Sequence, residues 1–254
     1  MKKNIIAGLG EIGLPIQKLL SRTIPVVGYD KKTELMNTKK FKKFENYETE
    51  ILHICIPFTK NFHRNVISLC DKFSPKCLVI HSTVQPHVTK KLQSKLTIPV
   101  IFSPTRGVHK RMLYDLKRYT KFFAIGSNAP KKTWAITTYS KLMKKCGVKT
   151  KKMSDPITLE LAKIICDTSY YGWLINYAQM TKMIATKNHV DCDEMWTFSD
   201  EIEKFLGNRP KMRPGYIGGH CVIPNLELIQ NETLNFIKKI NKTFYVQMNL
   251  KKHK

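Results

Sequence analysis

Two clusters of residues in this sequence have types and spacings that could do chemistry. The first is Gly8-Leu9-Gly10-Glu11-Ile12-Gly13, a GxGxxG turn set directly after the apolar run Asn4–Ala7. Between a strand and a helix, each glycine has a physical role. Gly8 allows the tight turn, Gly10 lets a pyrophosphate approach the backbone, and Gly13 permits close helix–strand contact. A phosphate held there meets the positive end of the helix, beside Glu11 and Ile12. Val27-Gly28-Tyr29-Asp30 ends the next apolar run with a carboxylate 22 residues beyond Gly8. A carboxylate so placed accepts hydrogen bonds from a ribose and favours NAD over NADP, although Lys31 and Lys32 could accept a 2′-phosphate.

The second cluster is Pro214-Gly215-Tyr216-Ile217-Gly218-Gly219-His220-Cys221. Its glycines, Gly218 and Gly219 among them, expose backbone amides to an anionic ligand, and Arg213 adds a cation beside them. A cysteine following such a turn, at a helix start, can carry a lowered pKa and react as a thiolate. The same residues also read as a loop with an inert cysteine.

The elements needed to position these residues follow from periodicity. Asn4–Ala7, Pro25–Tyr29, Ile51–Ile56, Cys77–His81, Val100–Ser103 and Phe122–Gly126 are short apolar runs that predict strands. Helices are expected at Ile12–Ser21, Asn61–Phe73, Pro86–Lys95 and Lys131–Cys146, with Gly147 as a C-terminal stop. This alternation predicts a parallel sheet covered on both faces. From Ser154-Asp155-Pro156 onward the pattern is helical. One long helix is expected over Ile157 to about Asn188, with Leu161, Ile164, Thr168, Tyr171 and Ile175 along its apolar stripe. Two more helices are expected at Asp193–Phe205 and Asn225–Ile240. The fold class is therefore α/β: a Rossmann-type domain over 1–153, then an all-helical domain over 154–254. A helix this long suggests pairing with a second copy, a homodimer.

Bulk composition bounds the partners. The net charge is +25, carried by 37 lysines and only 7 arginines spread along the whole chain. Nucleic-acid recognition usually recruits arginine forks as well, so a solvated basic surface is favoured over a polyanion partner. Such a surface still draws small anionic substrates towards the protein. Seven cysteines without a CxxC or zinc-like spacing suggest a reducing, cytoplasmic setting and no metal site. No apolar run is long enough to span a membrane.

The order GLGEIG, VVGYD, HSTVQP, a helix bearing Glu160-Leu161-Ala162-Lys163, and GGHCVIPN resembles the UDP-glucose/GDP-mannose dehydrogenase family, from residue 4 to about 228. The resemblance implies an NAD-dependent oxidation of a primary alcohol, on a sugar or nucleotide sugar. Cys221 would be the nucleophile that holds the aldehyde, Lys163 would stabilise oxyanions, and Thr83 would position the hydrolytic water. Pro57, Ser82 and Thr83 fall among the implied cofactor contacts. The chain departs from the family at four places. Asp167 and Asn225 stand where the family has Asn and Asp, suggesting that Asp167 supplies the displaced carboxylate. Thr105 replaces a glutamate in Ser103-Pro104-Thr105-Arg106, leaving His109 or Asp167 to substitute, while Arg106 could clamp a substrate anion. The segment between the lysine helix and the cysteine has no assignment. The family's C-terminal nucleotide-sugar-binding domain has no counterpart, so this reads as a shortened relative or one that works beside a separate subunit. Two other readings are a two-electron β-hydroxyacid-type dehydrogenase using Lys163 alone, and a non-catalytic NAD-binding protein with a basic polyanion-binding surface.

Overall fold

Alternating side chains along all but the last strand bury both faces of a seven-stranded sheet. In the computed structural model, residues 1–207, 214–218 and 222–249 are described. The strands are β1 (Lys2–Ala7), β2 (Val26–Tyr29), β3 (Glu48–Ile54), β4 (Cys77–Ile80), β5 (Val100–Phe102), β6 (Lys121–Ile125) and β7 (Thr150–Lys152), in the spatial order β2-β1-β3-β4-β5-β6-β7. Ile6, Val26, Ile51, Val79, Ile101 and Phe123 share one core layer. Their neighbours Ile5, Val27, Leu52, Leu78, Val100 and Ala124 share the other. On the first face lie α1 (Gly13–Leu20), α5 (Met112–Arg118) and α6 (Lys132–Lys145). On the second lie α3 (Phe62–Phe73), α4 (Val88–Gln93) and α7 (Pro156–Ala162). The helix α2 (Thr38–Lys43) sits in the β2–β3 crossover.

This is the Rossmann-type α/β architecture expected, with differences in detail. Strands β1 to β5 are parallel, but β6 runs antiparallel to β5 and β7 parallel to β6. The β5–β6 connection returns to the sheet edge it left, so its strand must run back. Its helix α5, like α2 and β7, carries no periodic signal strong enough to predict it.

The chain divides into two units, Met1–Lys163 and Ile164–Lys254. The division falls inside the long helix because α7 packs on β5 and β6. Asp155 caps that helix, accepting the Ile157 amide at 2.8 Å, and Pro156 occupies the first turn. The helix then passes through a π-helical segment, Lys163–Ser169, into α8 (Tyr170–Lys187). The wider turn shifts the buried face along the helix. Ile164 and Thr168 of the expected stripe are buried and Ile175 half-buried, but Leu161 and Tyr171 are exposed, and Ser169, Gly172, Asn176 and Gln179 are buried beside them. In the second unit α8 is joined by α9 (Cys192–Leu206), α10 (Ile223–Leu226) and α11 (Glu232–Asn249). The last helix begins later than predicted, because α10 forms a separate turn and Asn231 starts the new helix by accepting the Leu234 amide at 3.3 Å.

One row across the sheet is polar. Asn4, His53, His81, Ser103 and Lys121 are all buried. His81 Nδ1 lies 3.0 Å from the Ser103 carbonyl oxygen, which can only accept, so Nδ1 carries the proton. His81 Nε2 then accepts from His53 Nδ1 at 2.9 Å, and His53 Nε2 accepts from Asn4 at 3.3 Å. Lys121 Nζ donates to the carbonyls of Ser103 and Pro104 at 2.9 and 3.0 Å. Burial, with Lys121 nearby, keeps both imidazoles neutral: His53 is pushed down to about 3 and His81 falls well below its ordinary value. Burial also pushes Lys121 down to about 7.

The linkage has a definite sign. The unfolded chain binds more protons than the folded one between the lowered and ordinary values of each group. Stability from the histidines is therefore present above pH 6.5 and lost as pH falls towards 3. The Lys121 contribution rises from pH 7 to 10.5. Urea midpoints measured up to pH 9, the ordinary value of the buried thiols, should show both limbs, and Lys121→Met should remove the rise above pH 7 while keeping the acid fall. An alkaline rise unchanged in Lys121→Met would contradict this account.

Candidate functional site

The carboxyl ends of β1 and β3 meet where the chain reverses its direction across the sheet, and the glycine turn sits there. Gly8 has φ +94°, and a Cβ on it would come within 2.8 Å of the Cys55 carbonyl group. A Cβ on Gly13 would fall inside the Gly8 carbonyl oxygen. A Cβ on Gly10 would meet nothing within 4 Å. Two of the three glycines therefore let α1 close against β1 and β3, while the middle one leaves open space over its backbone. The first turn of α1 has no side-chain cap, but the Leu14 amide already donates to the Gly10 carbonyl at 3.0 Å and Pro15 has no N–H, so the glycine turn before the helix is what a phosphate would meet.

Asp30, at the end of β2, ties this turn together. Its Oδ2 accepts the Leu9 amide at 2.7 Å and its Oδ1 accepts the Lys32 amide at 2.9 Å. Each oxygen retains a lone pair for a ribose hydroxyl. Glu11 pairs with His109 at 2.6 Å, joining the glycine turn to the segment after β5. Ile12 is half-buried at the base of the turn.

The next strand ends are also bonded together. Ser82 is buried and donates to the Ile56 carbonyl at 2.6 Å, just before the exposed Pro57. Thr83 follows, half-buried. Sequence reasoning missed the residue that holds this segment to the lysine helix. Glu160 is buried and accepts the His87 amide at 2.7 Å, the Thr89 amide at 2.9 Å and the Thr89 hydroxyl at 2.6 Å. Burial pushes its carboxyl up, against these hydrogen bonds. Lys163 stands one turn further on and opens the π segment. A glutamate three positions before a helix-borne lysine was the available signal.

Arg106, expected to contact substrate, donates to the Thr120 carbonyl at 2.9 Å and lies 5.0 Å from the Phe122 ring. Thr105 is buried, with its hydroxyl 3.4 Å from Lys121 Nζ. Lys121 gave no sequence signal, being one lysine among many.

In the second unit Asp167 is half-buried within the π segment and Asn225 half-buried in α10. Arg213, Gly219 and Cys221 lie outside the described residues; Gly218 lies within them. The described part of the glycine-rich loop is held by two helices. Asn241 of α11 accepts the Ile217 amide at 2.8 Å and donates to the Ile217 carbonyl at 3.1 Å. Gln179 of α8 donates to the Gly215 carbonyl at 2.6 Å and to Asn241 at 3.0 Å.

No protein-family model matches the chain, and no curated protein matches it by sequence. Solved structures do match. The UDP-D-ManNAc dehydrogenase from Pyrococcus horikoshii superposes with a TM-score of 0.76 at 18% identity, over 95% of this chain and 68% of that one. An NDP-N-acetyl-D-galactosaminuronic acid dehydrogenase from Methanosarcina mazei gives 0.70 at 14% identity, over 98% and 67%. The 3-hydroxyisobutyrate dehydrogenase of Mycobacterium tuberculosis gives 0.69 at 14% identity, over 97% of this chain and 94% of that one. What they share with this chain is the fold.

Two measurements test the site. Gly13→Ala should destabilise the protein by several kcal/mol, because helix and strand must separate, whereas Gly10→Ala should leave thermal stability nearly unchanged and weaken dinucleotide binding. Equal stability loss in both would refute this division of roles. Asn241→Ala strands the buried amide and carbonyl of Ile217 and should cost about 2–4 kcal/mol in urea unfolding; a cost below about 0.5 kcal/mol would show that the loop does not depend on it.

Proposed function

We propose that this chain is an NAD-dependent dehydrogenase that oxidises a primary alcohol on a sugar or nucleotide sugar, through a covalent adduct on Cys221. The observation that carries the cofactor assignment is the glycine turn itself. Gly8 and Gly13 are closed to any side chain, Gly10 is open, and Asp30 is bonded to the amide between them. The phosphates would lie over Gly10 at the start of α1, with the ribose on Asp30. Bound there, NAD supplies the hydride acceptor.

The chain's own residues do the rest. The Cys221 thiolate adds to the aldehyde carbon as a thiohemiacetal and later carries it as a thioester. The Lys163 ammonium stabilises the developing oxyanions, the Thr83 hydroxyl orients water, and Asp167 supplies the carboxylate. Main-chain amides of Gly218 and Gly219, with Arg106 and Arg213, contribute anion contacts. The resemblance to nucleotide-sugar dehydrogenases in the sequence motifs, together with the fold shared with the Pyrococcus and Methanosarcina enzymes, supports this chemistry. The exposed Tyr170, Tyr171 and Tyr177 on the long helix support pairing with a second copy.

A second reading has its own support. The chain spans 94% of the 3-hydroxyisobutyrate dehydrogenase. A two-electron enzyme of that kind would use Lys163 without Cys221.

NADH formation against a panel of nucleotide sugars and sugar alcohols separates the two. Two NADH per substrate are expected, with turnover falling about 1000-fold or more in Cys221→Ser. Asp167→Asn should abolish activity. One NADH per substrate, unaffected by Cys221→Ser, would establish the second reading. NAD binding without turnover on any candidate would overturn both.

A further inference from the structure

The outer face of α1 and the segment leading into α5 border a groove of about 800 Å³ that starts at Gly10. Helical spacing puts Leu14 and Lys18 in one row on α1, with Arg22 just beyond its end. Lys110, Tyr114 and Lys117 form the opposing row. Lys18, Arg22, Lys110 and Lys117 make no ion pair among the described residues. The charges that do have partners are accounted for: Glu11 is taken by His109 at 2.6 Å, and Arg111 by Asp115 at 3.1 Å. The remaining cations repel one another and gain from a shared anion. Between them lie apolar surfaces: Tyr114 is 61% exposed and Leu14 37% exposed.

We propose that this groove is a second nucleotide site, taking a nucleoside diphosphate with its phosphates among Lys18, Arg22, Lys110 and Lys117 and its base against Tyr114 and Leu14. The volume suits one small ligand. Phosphates answer the unpaired cations, and a flat ring answers the exposed aromatic face. A longer polyanion would reach beyond the groove, whose lining cations are Lys18, Arg22, His109, Lys110, Arg111 and Lys117. The site shares only the Gly10–Glu11 edge with the proposed dinucleotide site, so it stands whether or not the dehydrogenase reading does.

Titration calorimetry with uridine 5′-diphosphate, run with and without saturating NAD, tests the assignment. An equivalent sensitive to substitution in the groove should bind in both cases. The Lys18→Glu/Arg22→Glu double variant should weaken UDP about tenfold or more while leaving NAD affinity within about twofold. Tyr114→Ala should weaken UDP but not inorganic pyrophosphate. Absence of UDP binding, displacement of UDP by NAD, or indifference to the double substitution would overturn the proposal. Pyrophosphate binding as tightly as UDP would reduce the groove to a generic anion surface. A single-stranded RNA that binds more tightly than UDP and is released by the same substitutions would make it a polyanion track. Either result also overturns the assignment. Failure of NAD to bind, with UDP binding intact, would sink the cofactor reading alone.

Discussion

Close approach of backbone to backbone at the glycine turn is the constraint on which the first unit depends. Helix α1 can lie against β1 and β3 only because Gly8 and Gly13 present no side chain there. That closeness brings Ile16, Leu19 and Leu20 into the core layer shared with α5 and α6. It also sets the turn within reach of Asp30, whose carboxylate fixes the Leu9 amide. A methyl group at Gly13 would have to move the helix by more than an ångström, and one at Gly8 would press on the Cys55 backbone from a left-handed conformation.

How much of this could be read in the sequence depended on whether a residue's role is tied to its type. Glycine at a closed turn is nearly irreplaceable, so the turn and the carboxylate following it were legible. The strands were legible because Ile, Val and Phe runs between breakers have few other uses. Helix α5 was not, since only Met112 and Leu116 of its apolar residues are fully buried. Strand β7 was hidden by its composition: Thr150, Lys151 and Lys152 read as a charged loop, but lysines on an edge strand discourage pairing with other chains. The π segment left no local trace, and it rotated the face that a regular period had assigned.

The candidate site divides along the same line. Asp30 and Ser82 could be placed from their motifs, and the structure gives each a bonded role. Glu160 and Lys121 could not, because a buried charge is defined by what surrounds it. Glu160 looks like an ordinary helix glutamate until His87 and Thr89 are seen donating to it. Lys121 looks like one more solvated lysine until its ammonium is found under the Ser103 and Pro104 carbonyls. On so basic a chain, composition conceals a lysine that the interior encloses.

The loop preceding the cysteine illustrates a different kind of encoding. Ile217 has both backbone groups bonded to a side chain 24 residues downstream, as if Asn241 were a one-residue strand. The shape of Pro214–Gly218 is thus written on helices α8 and α11 and not in the glycines, which alone would permit many conformations. The motif is therefore not portable. Moved to another scaffold without the asparagine and glutamine that grip it, the same run of residues would keep its chemistry and lose its geometry.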